Sequence, residues 1–355
     1  MSYTKAESDI IVADSFKELD YKQKKLLLAA HNRSGADSLK YADALIKICG
    51  EGVYNKLSAL MKDDGYRQKT VERLSKCNIV CVTLKSESYP PLLREIPVPP
   101  LALYMRGNAR LSERDMFGVV GSRKTVATVY EQCSALCAEL SEHFAVVTGV
   151  ADGADSAAAY GALSNGAAIC VLPGGHDAPT GASVKLLKSA EREGLTLSEF
   201  PPGTPAKRYT FLLRNRIIAG LCRGVLVVSA AEKSGALNTA GYALDYGRDI
   251  FAFPYNIGVT SGKGCNNLLR KGATVCENAN DILSFYGLKA KEKVIPELDG
   301  DEARLLKLLR EEGELHAQRI SEILKKPLPQ VFALCSLMEI KGLVLKVGGN
   351  KYSAV

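Results

Sequence analysis

Arg214, Asn215 and Arg216 stand directly before an apolar run, Ile217 to Leu221, and a buried-strand pattern follows at 224 to 228. A polar turn with Lys233, Ser234 and Gly235 then opens another helical stretch. A strand that passes through a small-residue turn into a helix N-terminus forms a seat for an anion. Free backbone N–H groups and the positive end of the helix dipole point the same way there. Two arginines and a lysine converging on such a seat read as a phosphate clamp. Gly121-Ser122-Arg123 repeats this logic after the strand 116 to 120, offering N–H groups, a hydroxyl and a guanidinium to one phosphate. Gly149 follows a further strand and permits close backbone approach, while Asp155 nearby suits a structural role at a helix start. Arg214 and Arg216 would diverge by roughly 200° on a helix. Both can face one groove only if the segment is still irregular where the helix begins, with Asn215 as a possible cap. Tyr209 and Phe211 lie beside these cations, which suits base stacking over a phosphate track; Phe211 fits a core position as well.

Charge is distributed unevenly. The net charge is +7 over 355 residues, a weak preference for acidic partners, and no region is a basic block. From Glu199 to Glu232, however, no acid interrupts Lys207, Arg208, Arg214, Arg216 and Arg223. From Asp249 to Glu277 only bases occur, namely Lys263, Arg270 and Lys271. Two acid-free stretches flanking the anion seat are what a groove that tracks phosphates needs.

The elements that must position these residues are legible from periodicity. Between 15 and 75 apolar residues recur at helical spacing, giving a small helical domain over 1–76. From 77 to 288 β-branched strands alternate with amphipathic helices, including helices expected at 125–142, 153–165, 182–193, 213–222 and 235–246. That alternation specifies an α/β domain with a mostly parallel, doubly wound sheet, whose ligands bind at the carboxyl ends of the strands. Gly121, Gly149, Gly174 and Lys233 all follow strands and should share one rim. A linker at 289–298 leads to a third domain, 299–355, with three helices and a hairpin around Gly348-Gly349-Asn350. That order is a winged helix, but its third helix exposes little beyond Gln330, Ser336 and Glu339 and lacks a base-reading set.

Several motifs together resemble the DNA-processing protein A family (DprA, also called Smf). They are Gly121-Ser122-Arg123, VVTGVADGADSAAAYGAL at 146–163, LSEFPPGTP at 197–205, FLLRNRIIAGL at 211–221, KSGALNTA at 233–240, GRDIFAFP at 247–254 and GCNNLLRKGA at 264–273. The family's histidine in the second segment is Ala159 here, its proline before the Arg–Asn–Arg group is replaced by Leu212 or Leu213, and its glycine after the F-A-x-P corner is Tyr255. The resemblance implies an extended Rossmann-like fold between a sterile-alpha-motif-like helical domain and a winged helix. It also implies single-stranded DNA binding, a homodimer, and loading of the RecA recombinase in transformation or recombination. The implied DNA-contacting set is Gly121, Ser122, Arg123, Gly149, Arg214, Asn215, Arg216, Lys233, Ser234, Gly235, Lys263 and Arg270. Arg123, Arg214, Arg216 and Lys233 are expected on one rim as the principal phosphate contacts.

Other classes fit less well. The turn LPGGHDAPTG at 172–181 resembles the P-G-G turn of Rossmann-like nucleotide phosphoribohydrolases, but no glutamate follows it until Glu191. A dinucleotide site needs G-x-G-x-x-G, which GSRKTV does not supply. No metal-ligand cluster or Ser–His–Asp set is visible with only 4 histidines. No catalytic residue, cofactor or metal is therefore expected, and the phosphoribohydrolase and a purely regulatory winged-helix protein stay as alternatives. The apolar runs are too short to span a bilayer. The start, MSYTKAESDIIVADS, lacks a basic region followed by a hydrophobic core. Ten cysteines without a C-x-x-C pair suggest reduced thiols, and together these point to a cytoplasmic protein.

Overall fold

The computed structural model describes residues 3–177, 184–289 and 298–354, so most of the 289–298 linker and residues 178–181 of the P-G-G segment lie outside it. The chain divides into two units, Met1–Ala290 and Lys291–Val355.

The first unit opens with five helices: α1 (Lys5–Ser15), α2 (Tyr21–Asn32), α3 (Gly35–Cys49), α4 (Glu51–Lys62) and α5 (Asp64–Lys76). Strands and helices then alternate: β1 (Val80–Thr83), α6 (Pro91–Arg94), β2 (Ala102–Gly107), β3 (Met116–Val120), α7 (Ala127–Leu140), β4 (Ala145–Thr148), α8 (Ala154–Leu163), β5 (Ala168–Val171), α9 (Val184–Glu193), β6 (Leu195–Ser198), α10 (Arg208–Leu221), β7 (Gly224–Val227), α11 (Gly235–Asp245), β8 (Asp249–Ala252), α12 (Lys263–Arg270), β9 (Thr274–Val275) and α13 (Ala279–Phe285). The nine strands form one sheet in the order β1-β2-β6-β5-β4-β3-β7-β8-β9. β1, β2 and β6 pair antiparallel, and every pairing from β6 to β9 is parallel.

β3, β4, β5 and β7 are buried along their whole length, as continuous apolar strands between two helical layers must be. One face packs on α10 and α11 through Ile217, Ile218, Ala240 and Ala243. The opposite face packs on α7, α8 and α9 through Leu136, Ala158 and Leu186. From β3 the chain steps outward through β4, β5 and β6, and α10 then returns it to β7 on the other side of β3. The topological switch point therefore lies between β3 and β7, where the loops after these strands diverge.

The N-terminal helices are joined to the sheet by a shared core in which Ile10, Ile11 and Leu74 pack on Cys81, Ala102 and Tyr104. The second unit contains α14 (Gly300–Glu312), β10 (Leu315–His316), α15 (Ala317–Leu324), α16 (Leu328–Ile340), β11 (Val344–Gly348) and β12 (Lys351–Ala354). Its core gathers Leu305, Leu309, Ile320, Val331, Cys335 and Tyr352. The hairpin turn places Gly349 at φ 56° and Asn350 at φ 59°, the two positive values that a two-residue type I′ turn requires. Two-residue β10 pairs with β12, a strand too short to register in the sequence pattern.

Candidate nucleic-acid interface

A cleft of about 660 Å³ opens at the switch point. Its walls are the loop after β3 (Val120 to Arg123), Ala151 after β4, the N-terminal half of α10, and the start of α11 at Ser234, Gly235 and Ala236. Two arrangements hold the β3 loop in place. Ser122 donates its N–H to Ser229 Oγ at 3.0 Å, while Thr125 Oγ1 donates to the Ser122 carbonyl at 2.8 Å. Gly153, at φ 78°, lies under the loop, and a Cβ there would come within 2.5 Å of the Ser122 and Arg123 carbonyls. Gly121 likewise has no room for a side chain against Ala154 and Val228.

Arg123 is exposed, with its guanidinium 5.3 Å from the Phe211 ring centroid. Facing it, α11 begins with Ser234 as N-cap, whose side chain accepts the Ala236 N–H at 3.3 Å. Leu237 donates its N–H back to the Ser234 carbonyl at 3.1 Å, and Ser234, Gly235 and Ala236 line the cleft, where the positive end of the helix dipole favours an anion.

Arg214 lies deeper. Its side chain is 6% exposed, Nη1 donates to the Val171 carbonyl at 2.6 Å, and Nη2 is 3.9 Å from Asp155 Oδ2. Burial pushes the Asp155 carboxyl above its usual range and the Arg214 guanidinium below its own, and the attraction between the two opposes both shifts. Asp155 is therefore the counter-ion of Arg214, and the residue ahead of α8 is Gly153. Gly149 lies behind this pair, because a Cβ there would collide with the Asp155 carboxylate and the Arg214 guanidinium. Gly149 thus makes room for Arg214 and does not line the cleft itself.

Two expectations about α10 are corrected. Its first residue is Arg208, five before the predicted start, because Thr210 Oγ1 accepts the Lys207 N–H at 2.9 Å and donates to the Lys207 carbonyl at 2.8 Å. Arg214, Asn215 and Arg216 consequently sit in the middle of a regular helix, and Asn215 caps nothing. Asn215 instead ties α10 to α11, donating to the Gly235 carbonyl at 3.3 Å. The helical period carries Arg216 away from the cleft. It bonds the Val98 carbonyl at 2.6 Å and pairs with Glu199, whose carboxyl burial pushes up and Arg216 pulls back. Arg216 therefore does not share the rim with Arg123 and Arg214.

Lys233 is exposed in the turn before α11, and Lys263 is exposed at the start of α12, next to that turn through the Gly264 N–H bond to the Ala230 carbonyl at 2.8 Å. Arg270 ends α12, about 10 Å further on at 1.5 Å per residue, and bonds Asn267. The structure also places Arg208 and Leu212 on the cleft, with Phe211 half-buried between them. The acid-free run already contained Arg208, but only the true helix start turns it toward Arg123.

The model of the family described as DNA recombination-mediator protein A matches residues 80–287, which include every strand of the large sheet but leave out the second unit. The chain belongs to the DNA recombination-mediator protein A family. The Protein Smf of Synechocystis is 39% identical over 245 residues, 66% of this chain and 59% of that relative's own length. The crystal structure of DNA processing protein A from Streptococcus pneumoniae superposes with a TM-score of 0.61 at 29% identity, over 80% of this chain and 98% of that one. A Helicobacter pylori DprA structure, described for its single-stranded DNA binding mode, gives a TM-score of 0.52 at 26% identity over 58% of this chain and 95% of its own. The mixed α/β architecture with a large, mostly parallel sheet matches these DprA structures.

Among the described residues no helix is long and apolar enough to cross a membrane.

Proposed function

We propose that the switch-point cleft binds single-stranded DNA, holding phosphates on Arg123, Arg208, Lys233 and the α11 N-terminus and stacking a base against the Arg123–Phe211 pair. The observation that carries this reading is the convergence of exposed Arg123 and Arg208 on a helix N-terminus beside an accessible aromatic ring. Family membership and the strand binding described for the Helicobacter pylori relative support it. Lys263 would extend the track along the rim. Arg214 and Asn215 would shape the cleft floor, with Gly149 making room for Arg214; Arg270 would contribute from outside it, whereas Arg216, paired with Glu199, would support α10 rather than hold phosphate.

In the same reading the protein acts in the cytoplasm as a homodimer, delivers strands to the RecA recombinase during recombination or transformation, and binds without turnover. The helical section 1–76 and the winged helix 299–355 flank the strand-binding domain 77–288. Fluorescence anisotropy against oligothymidylate, duplex DNA and nucleoside monophosphates tests the central claim. The oligonucleotide should bind far more tightly than the other two. Three phosphate contacts should give a log–log salt slope of about −2. Equal affinity for mononucleotide and oligonucleotide, or steady release of free base from the mononucleotide, would reject it.

A further inference from the structure

α10 separates two clefts. On the side away from the switch point, between the sheet and the N-terminal helices, lies a second cleft of about 580 Å³ that includes Lys17, Lys207, Tyr209, Leu213 and Arg216. Most of its charges are already paired. Asp14 is held by Lys24 at 3.0 Å and by the Tyr104 hydroxyl at 2.8 Å, Glu199 is held by Arg216, and Asp20 caps α2 through the Gln23 N–H at 2.9 Å. Glu18 and Asp20 are the acids of this cleft without an ion-pair partner among the described residues. Lys17 Nζ and Arg73 Nη2 come within 3.4 and 3.5 Å of the point a Cβ on Gly203 would occupy. Among the described residues neither cation has an ion-pair partner, and Lys207 has none either. Lys17 and Arg73 thus converge on the loop that also carries Lys207, and the two neighbouring cations repel one another unless an anion sits between them.

The ridge between the clefts is apolar and exposed: Tyr209 is 56%, Leu212 50% and Leu213 41% accessible, and Lys207 Nζ lies 6.0 Å from the Tyr209 ring centroid. Leu212 faces the first cleft and Leu213 the second. Cations on both sides of an aromatic and aliphatic ridge match what a single strand presents, namely a phosphate backbone with unstacked bases.

We infer that Lys17, Arg73 and Lys207 form a second phosphate-binding subsite, reached by a single strand that leaves the first cleft across Tyr209, Leu212 and Leu213. This rests on the strand-binding reading of the first cleft and assigns the N-terminal helical section a direct part in it. The test uses the full chain and two oligothymidylates of about 6 and about 20 nucleotides, bracketing one short site and a longer path. The Lys17→Ala/Arg73→Ala variant should bind the short strand as the wild type does. On the long strand it should lose about tenfold in affinity, with the salt slope flattened by about 1.4 for two contacts. Lys207→Ala, on a loop, should lose affinity for the long strand only, independently of the helices. Arg123→Ala should weaken both lengths. Unchanged affinity and slope on the long strand in both cation variants would overturn the subsite while leaving the first cleft intact. A wild-type protein that binds neither length would overturn the strand-binding reading itself.

Discussion

Arg123 is exposed against the Phe211 ring, whereas Arg214 is buried against Asp155 and the Val171 carbonyl. Removing them should therefore have different consequences. Arg123→Ala should change stability by no more than about 0.5 kcal/mol in urea denaturation, as exposed substitutions usually do, while weakening strand binding. Arg214→Ala leaves the Asp155 carboxylate buried without its partner and should cost about 3–5 kcal/mol, so its binding defect must be read beside its melting curve. His176 provides a pH test. Burial, aided by the Arg106 charge, depresses its pKa to about 4, and among the described residues its Nδ1 has no hydrogen-bond partner. The unfolded chain binds a proton near pH 6.5 that the folded chain refuses until about pH 4. The stability this residue contributes is thus complete above pH 6.5 and is lost as pH falls toward 4, by about 3 kcal/mol. A His176→Gln variant should flatten that part of the stability–pH curve, and an unchanged curve would refute the assignment.

At the scale of elements, the loops after β3 and β4 support each other through Gly153, which holds a positive φ beneath the carbonyls of Ser122 and Arg123. Gly153→Ala combines a disfavoured backbone conformation with a backbone clash. It should destabilise the protein by about 1–3 kcal/mol and reduce strand affinity through displacement of Arg123, although residue 153 touches no ligand. The cap by Thr210 sets where α10 begins and so which residues face each cleft. Thr210→Ala should cost about 1 kcal/mol by loss of that cap, measurable as a shift in the denaturation midpoint.

At the scale of the molecule, the two units have separate cores, one around the sheet and one around Leu305, Ile320 and Tyr352. In the second unit α16 presents little positive charge. A chain ending near Lys289 should keep its folding transition and hold single strands within about tenfold of the intact protein, or roughly 1.4 kcal/mol. A larger loss would show that Lys346 and Lys351 on the hairpin take part.

The sequence by itself determined the alternation of buried strands and amphipathic helices, and with it the mostly parallel sheet and the rim where small-residue turns meet helix starts. It also singled out Gly121-Ser122-Arg123 and Ser234-Gly235, which line one cleft in the structure, because a strand–turn–helix passage depends on local backbone geometry that short segments encode. What it left open was the phase of α10. Helical period separates Arg214 from Arg216 in any regular helix, but which of them enters the cleft depends on where the helix starts and which face its apolar residues bury. Thr210 fixed the start, and Ile217 and Ile218 packing on the sheet fixed the face. Arg214 was thereby directed to Asp155, Arg216 to Glu199, and Arg208 to the cleft. The convergence of Lys17 and Arg73 on the Gly203 loop lay beyond any local pattern, since it joins residues far apart in the chain through the packing of α1 and α5 on the sheet.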